Sequence, residues 1–314
     1  MKNNFQLRDF PAGDHNTIRT VVFPLLVCMI LLFSSKVDAA VYIDEIGREV
    51  TIPFHPQRIV SLAPSITETL FSLSLDREIA GVTMLSTYPE AARSKPRVGT
   101  FVNISLERVV ALNPDLVIGT ADGNRKETVK QLEGMGIPVY VVNPQSLAEI
   151  FDMVVEIGRI TGRADEAAVL ARGLKERVGR VVSSLKGLKR PRVFLQVGIN
   201  PIITVGGDTL YGELIHRAGG ENIYKKSVAR YPRCGIEDVI VKRPDIIIIS
   251  SMKRGGKFPA ARDGWRKWGA IPAVRDDRIH IIDTDLIDRA SPRIVDGLEE
   301  LTEIIHPEVS LKKQ

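Results

Sequence analysis

Residues 146–187 carry no strand pattern, while strand–helix alternation runs on both sides of them. That interruption limits the available folds more than any other feature. Leu147, Ile150, Phe151, Val154, Ile157 and Ile160 recur at helical spacing. After a break at TGRAD, Ala168, Ala171, Leu174, Val178, Val181 and Leu185 do the same. At ~1.5 Å per residue the later helix alone would reach about 30 Å, enough to brace two lobes.

Before the interruption, DEIGREVTIPFHPQRIVSL (44–62) reads as a hairpin turning at Gly47 and feeding a short buried strand. TETLFSL follows as a helix with Thr67 as N-cap. IAGVT is a strand, LERVVAL a helix stopped by Pro114, and DLVIG an apolar strand of the parallel, doubly covered kind. KETVKQLEGMG and PVYVV add a helix and a strand. Beyond residue 187 the alternation restarts with RVFLQV, TLYGELIHRAGG, GIEDVIVKR, PDIIIISS, GWRKWGAI and RIHIID. A last helix opens with Ser291 as N-cap and Pro292 in first position. The expected class is α/β: a lobe at 41–145, a bridge at 146–187 and a lobe at 188–314, each lobe a parallel sheet covered on both faces.

One unit occurs in both lobes. SLERVVALNPDLVIG (105–119) and GIEDVIVKRPDIIII (235–249) align at an offset of 130, matching Glu107 with Glu237, Pro114 with Pro244 and Asp115 with Asp245. Helix, Pro-Asp and apolar strand is a common α/β arrangement, and a first-turn glutamate suits the helix dipole. The match fits either a duplication or two instances of that common arrangement.

Residues 1–40 differ from the rest. Scattered charge leads into the apolar run VVFPLLVCMILLF (21–33), then SSKVDAA. This is the layout of an export signal, cut near Ala39 or Ala40, and the run is short for a membrane span of ~20 residues. Cys28 lies inside that run rather than at a small-residue cleavage point, which argues against lipidation. Processing would leave Cys234 as a lone, packed thiol, and the expected location is the periplasm. A net charge of +5, scattered along the chain, gives no concentrated basic face for nucleic acid. KGLKR (186–190) and KRGGK (253–257) read as solvated turns.

The usual catalytic motifs are missing: no G-x-S-x-G, GxGxxG, phosphate-binding loop or H-E-x-x-H. The five histidines show no ligand spacing, so neither a metal site nor an intrinsic cofactor is expected. In open α/β sheets ligands sit beyond the carboxyl ends of strands. The segments there (86–92, 98–103, 120–124, 198–203, 255–268 and 284–293) gather Tyr88, Phe101, Trp265, Trp268, Asp285, Asp288 and Arg289, a set that fits a flat, sizeable ligand. Alternatively, Trp265 and Trp268 form one helix face packed into a core.

RVFLQVGINP, GGENIY, LERVVALNPDLVIG followed by DGN, TYPEAA and DRASPRI resemble the periplasmic cobalamin-binding proteins of vitamin B12 ABC importers. DEIGREVTIPFHPQRIVSLAPSITE is similar to the opening of the wider helical-backbone (class III) binding proteins, which include ferric siderophore and haem binders. The likeness spans roughly residues 44–305. It implies two Rossmann-like α/β lobes bridged by a long rigid α-helix, with the ligand cleft between them. It implies a monomeric, non-enzymatic carrier that delivers a corrinoid, cobalamin, to an importer permease dimer; cobalt would come with the ligand. Glu107 and Glu237 would dock the two permease subunits, answering the repeat. Ligand contacts carry over to Tyr88, Phe101 and Trp265, and to Asp285, Asp288 and Arg289. Thr120 and Ile203 stand where the family shows aromatics, and Ala218 where it shows a disulfide cysteine. The rival readings are a siderophore or haem cargo on the same fold, and a double-Rossmann tetrapyrrole-handling enzyme using His216, His280 or a cleft glutamate.

Overall fold

The computed structural model describes residues 38–251 and 258–311. The expected export signal thus lies almost wholly outside the described residues, as does the turn at 253–257. A compact unit begins at Ala39. It opens with an antiparallel hairpin of β1 (Ala39–Ile43) and β2 (Glu49–Pro53), registered from Ala39↔Pro53 to Ile43↔Glu49. Gly47 supplies the turn at φ +83°. Asp44 secures it by accepting from the Arg48 amide (2.8 Å) and guanidinium (2.6 Å).

The first lobe holds a four-stranded parallel sheet in the order β4-β3-β5-β6. These strands are β3 (Ile59–Ser61), β4 (Ile79–Val82), β5 (Leu116–Thr120) and β6 (Val139–Val142). Every residue of β3, β5 and β6 is buried, because helices or the hairpin cover both faces. Its helices are α1 (Pro64–Ser72), α2 (Leu106–Ala111) and α3 (Lys126–Gly134).

The bridge is a helical pair, α4 (Leu147–Ile160) and α5 (Ala164–Ser184). Ser146 caps α4 by accepting from the Glu149 amide (3.3 Å), while Glu149 reaches back to the Gln145 amide (2.6 Å). Between the helices, Gly162 adopts φ +74° and lies against the His55 ring, so a side chain there would be both strained and blocked. Helix α4 packs on α1 of the first lobe.

The second lobe repeats the plan. Strands β7 (Arg192–Gly198), β10 (Ile246–Ser251) and β11 (Ile279–Asp283) run parallel in the order β7-β10-β11, matching β3-β5-β6. Two short strands flank β7: β8 (Ile203–Thr204), antiparallel, and β9 (Glu221–Asn222), parallel. The antiparallel β8 departs from the expected all-parallel sheet; the turn after β7 is too short for a crossover helix. Helices α6 (Leu210–Arg217), α7 (Ile236–Lys242), α8 (Phe258–Trp265), α9 (Pro272–Arg275), α10 (Thr284–Ile287) and α11 (Ile294–Ile305) complete it. Arg177 of α5 grips α11 through Asp296 (2.6 Å) and Glu299 (2.5 Å).

The repeated unit is built by the same device in each lobe. Asn113 (φ +43°) and Arg243 (φ +45°) end α2 and α7 in the left-handed region, one residue before the proline. The aspartate that follows each proline then holds amides at the entry to the neighbouring strand: Asp115 accepts from Gln57 (2.7 Å) and Arg58 (2.9 Å), just before β3, and Asp245 from Arg192 (2.8 Å), the first residue of β7. The arginine so held donates to the helix's last carbonyls, Arg58 to Leu112 (2.5 Å) and Arg192 to Lys242 (2.8 Å).

The central core is continuous from Ile59 and Leu116 of the first lobe, through Phe151, Ile157 and Leu174 of the bridge, to Leu195, Ile248 and Leu298 of the second. Two outer layers cover the far face of each sheet, one around Val60, Val117 and Val141, the other around Phe194, Ile247 and Trp265.

Two expected helix starts are corrected. Helix α1 begins at Pro64, whose missing N–H suits the first position, so Thr67 lies one turn inside, its hydroxyl 2.8 Å from Ser61 and 2.9 Å from Ser86. Helix α11 begins at Ile294, not after Ser291. The Ser291 hydroxyl is engaged elsewhere, on Glu68. Among the described residues no helix is long and apolar enough to cross a membrane.

Candidate functional site

Parallel strands of both lobes end toward one cleft. Its walls come from the segments after strands: Pro64 and Ser65 after β3, Leu85 after β4, Thr120 and Asp122 at β5, Val142 and Pro144 at β6, and Thr284, Asp285, Asp288, Arg289 and Ala290 after β11. The bridge adds Met153. The cavity measures about 270 Å³. Larger hollows lie elsewhere among the described residues. One of about 410 Å³ sits beside Arg190, His216 and Lys225, and one of about 560 Å³ lies between α4 and α5. Neither is at the strand ends where this fold receives ligands, and the first is crossed by salt-bridged pairs such as Lys225–Glu221 (2.8 Å).

Among the described residues the cleft is acidic: Asp122 from the first lobe and Asp285 and Asp288 from the second line it with a single guanidinium, Arg289. That guanidinium is already matched, by Glu68 (2.6 Å) and Asp285 (2.8 Å). Asp288 accepts from the Tyr211 hydroxyl (2.7 Å). Burial pushes the Asp288 carboxyl up, and the nearby Asp122 and Asp285 charges add to this against the Tyr211 hydrogen bond and Arg289. The Tyr211 hydroxyl is likewise raised, first by burial and then by Asp288.

Phe101, Thr120, Asp285, Asp288 and Arg289 all line the cavity. The Phe101 ring lies against Gly123, where a Cβ would fall 2.0 Å from it, so the glycine of DGN is what admits the ring. Asn124 braces both, accepting from the Thr120 amide (2.8 Å) and donating to the Phe101 carbonyl (2.8 Å). Tyr88 is outside the cavity wall; the Arg293 guanidinium stacks 3.6 Å from its ring centroid, and Arg293 shares Glu68 with the wall residue Arg289. Ile203 is half-buried in β8, packed against Gly198, and does not line the cavity.

Trp265 is also absent from the wall. It is 4% exposed in the outer layer of the second lobe, edge-on to Phe194 at 5.5 Å, with its Nε1 donating to Gln196 (2.7 Å). Of the two tryptophans it is the packed one, and Trp268, at 37%, keeps exposed surface. Helix α8 ends at Trp265, so the two do not share a helix face.

Glu107 and Glu237 sit in the first turns of α2 and α7, exposed, with no ion-pair partner among the described residues. His216 and His280 do not line the cleft. His216 faces Arg190 (2.9 Å), and burial followed by that charge lowers its basicity. No cluster of three or more metal-ligating side chains occurs among the described residues.

Sequence reasoning missed Asp122, which lines the cleft, and Glu68, Tyr211, Tyr231 and Arg293, which stand behind the wall and contact its residues or one another. Tyr231 is exposed, edge-on to Tyr211 at 6.4 Å, with its hydroxyl raised by burial and then by Asp288. Glu68 had a readable signal: a lone charge inside the run ITETL, every residue of which is buried.

The family model described as periplasmic binding protein matches residues 59–286, which hold the sheets of both lobes and all of the cleft wall before Asp288. The chain belongs to the periplasmic binding protein family. An uncharacterised ABC transporter substrate-binding lipoprotein of Bacillus subtilis, YvrC, is 32% identical over 84% of this chain and 85% of its own length. The solved periplasmic vitamin B12 binding protein BtuF of Vibrio cholerae superposes with a TM-score of 0.72 at 28% identity, covering 81% of this chain and 98% of that one. A periplasmic haem-binding protein from Pseudomonas aeruginosa superposes with a TM-score of 0.73 at 26% identity, covering 82% and 96%. Both share the two-lobed fold of this family member, so backbone similarity alone does not separate the two cargoes.

Proposed function

We propose that this periplasmic binding protein captures a corrinoid, cobalamin, in the cleft between its lobes and hands it to an ABC importer without chemical change. The observation that carries the cargo is the charge of the cleft. Three carboxylates face a guanidinium that Glu68 and Asp285 already satisfy. Such a surface offers acceptors to N–H donors and repels anions. A corrin rim decorated with amides suits it, whereas haem propionates and anionic ferric chelates do not. Phe101 and Tyr88 supply flat apolar contact, Asp285 and Asp288 accept from amides, and Thr120 leaves room beside Phe101. Trp265 and Ile203 support the wall from behind rather than touch the ligand. The ligand brings its own cobalt.

Haem is the second reading, because the haem-binding neighbour superposes equally well and Tyr88 is an exposed phenol at the cleft edge. Delivery rests on Glu107 and Glu237, presented in equivalent first turns of the repeated unit. A roughly symmetric permease dimer would meet one glutamate on each subunit, and charge pairs of this kind set orientation and register. The compact unit begins at Ala39, beside the cut expected for periplasmic export.

Uptake of cyanocobalamin into proteoliposomes carrying the cognate permease and ATPase tests the reading. The protein should support uptake. Glu107→Ala with Glu237→Ala should abolish it, with ligand affinity unchanged. Uptake that survives the double substitution contradicts the docking role, and wild-type protein that supports no cyanocobalamin uptake contradicts the cargo.

A further inference from the structure

We infer that Glu68 is a positioning residue that ties the two lobes together at the cleft and orients contact residues on both. Two motifs that are more than 200 residues apart in the chain, SITE and RASPR, meet here. Glu68 stands on α1 of the first lobe with its side chain 1% exposed. Its Oε1 accepts from Arg289 (2.6 Å) and Arg293 (3.1 Å), and its Oε2 accepts from the Ser291 hydroxyl (2.6 Å). All three donors come from the segment between α10 and α11 of the second lobe. No other carboxylate among the described residues joins the lobes with so little exposure.

The cluster extends in two directions. Arg289 turns its second nitrogen to Asp285 (2.8 Å) on the cleft wall. Arg293 stacks on the ring of Tyr88, which belongs to the first lobe. One buried carboxylate therefore holds Arg289 of the cleft wall directly, and Tyr88 of the first lobe through an arginine. A buried anion cannot drift to another partner, because leaving its donors would strand an uncompensated charge. The contact acts as a fixed pivot at one edge of the cleft: the lobes can rock about it, while the residues beside it stay oriented for the ligand. Orienting groups before binding lowers the cost of association and slows release.

The pivot itself is independent of the cargo; the effect on ligand release rests on the corrinoid reading. Hydrogen exchange on the ligand-free full chain tests the pivot. In Glu68→Gln, amides of residues 284–293 should exchange at least tenfold faster, with α5 unchanged. Uniform acceleration that includes α5 would mean general destabilisation, and no change in 284–293 would mean that the contact holds nothing; either overturns the proposal. Arg293→Lys keeps the charge on Glu68 and loses the planar stack on Tyr88. It keeps the proposal testable should the glutamate variant misfold. It should leave exchange at 284–293 near wild type and speed cyanocobalamin dissociation about tenfold, with association within threefold. Unchanged dissociation overturns the orienting role of the pivot. A wild-type protein that does not bind cyanocobalamin overturns the cargo instead, and exchange still decides the pivot.

Discussion

Asp288 accepts from Tyr211 inside the cleft, and burial together with the Asp122 and Asp285 charges raises its carboxyl above the ordinary 3.8. The folded chain keeps this proton at pH values where the unfolded chain has lost it. Stability from the group is therefore full below 3.8 and is lost as pH rises through the folded value. Asp288→Asn removes the titration and keeps an acceptor for Tyr211. The variant should exceed wild type in stability at neutral pH, and the gap should close as pH falls toward 3.8. Urea unfolding across that range checks it; a gap that widens on acidification contradicts the assignment. Trp265 shows the limit of reading single residues. It follows a strand and carries a large flat ring, as a ligand contact would, yet Gln196 and Phe194 claim both its polar and apolar parts. Only the partner side chains decide between wall and core, and those lie some 70 residues upstream.

At the scale of elements, the repeated helix–Pro–Asp–strand unit was readable from its letters, and its mechanism was not. Pro114 and Pro244 end helices as expected. The aspartates after them do something that no periodicity reveals: they hold amides at the entry to a strand that precedes them by about 55 residues. Two amides depend on Asp115 and one on Asp245. Charge-assisted hydrogen bonds to backbone amides are worth ~1.5–3 kcal/mol. Asp115→Ala should destabilise by about that amount and Asp245→Ala by less, measured by chemical denaturation. A larger loss at Asp245 contradicts the account. The two misread helix starts have a shared cause. Thr67 and Ser291 are good capping residues by type, but each hydroxyl is held in a tertiary contact, by Ser61 and Ser86 in one case and by Glu68 in the other.

For the whole molecule, the alternation and its interruption were enough to indicate two α/β lobes and a helical bridge. The cleft was legible only as a set of post-strand segments. Which of them face one another depends on how the lobes meet, and Glu68 with residues 289–293 is the clearest case. The core runs unbroken through α4 and α5, which resists wide lobe separation. The cleft of about 270 Å³ is also smaller than the ~300–1,000 Å³ typical of small-molecule sites, so a large ligand has to widen it. Small-angle scattering with and without cyanocobalamin should show an equal or marginally larger radius of gyration in the complex. A clear ligand-induced compaction contradicts a braced molecule.

Selection by an acidic cleft of an amide-rich neutral corrinoid over an anionic tetrapyrrole or chelate is tested most directly by calorimetric titration of the purified protein with cyanocobalamin, haem and a ferric catecholate siderophore in one buffer. Cyanocobalamin should bind one-to-one and at least a hundredfold more tightly than either competitor. Tighter binding of haem or the siderophore would contradict it, and would leave the fold and the carrier role attached to a different cargo.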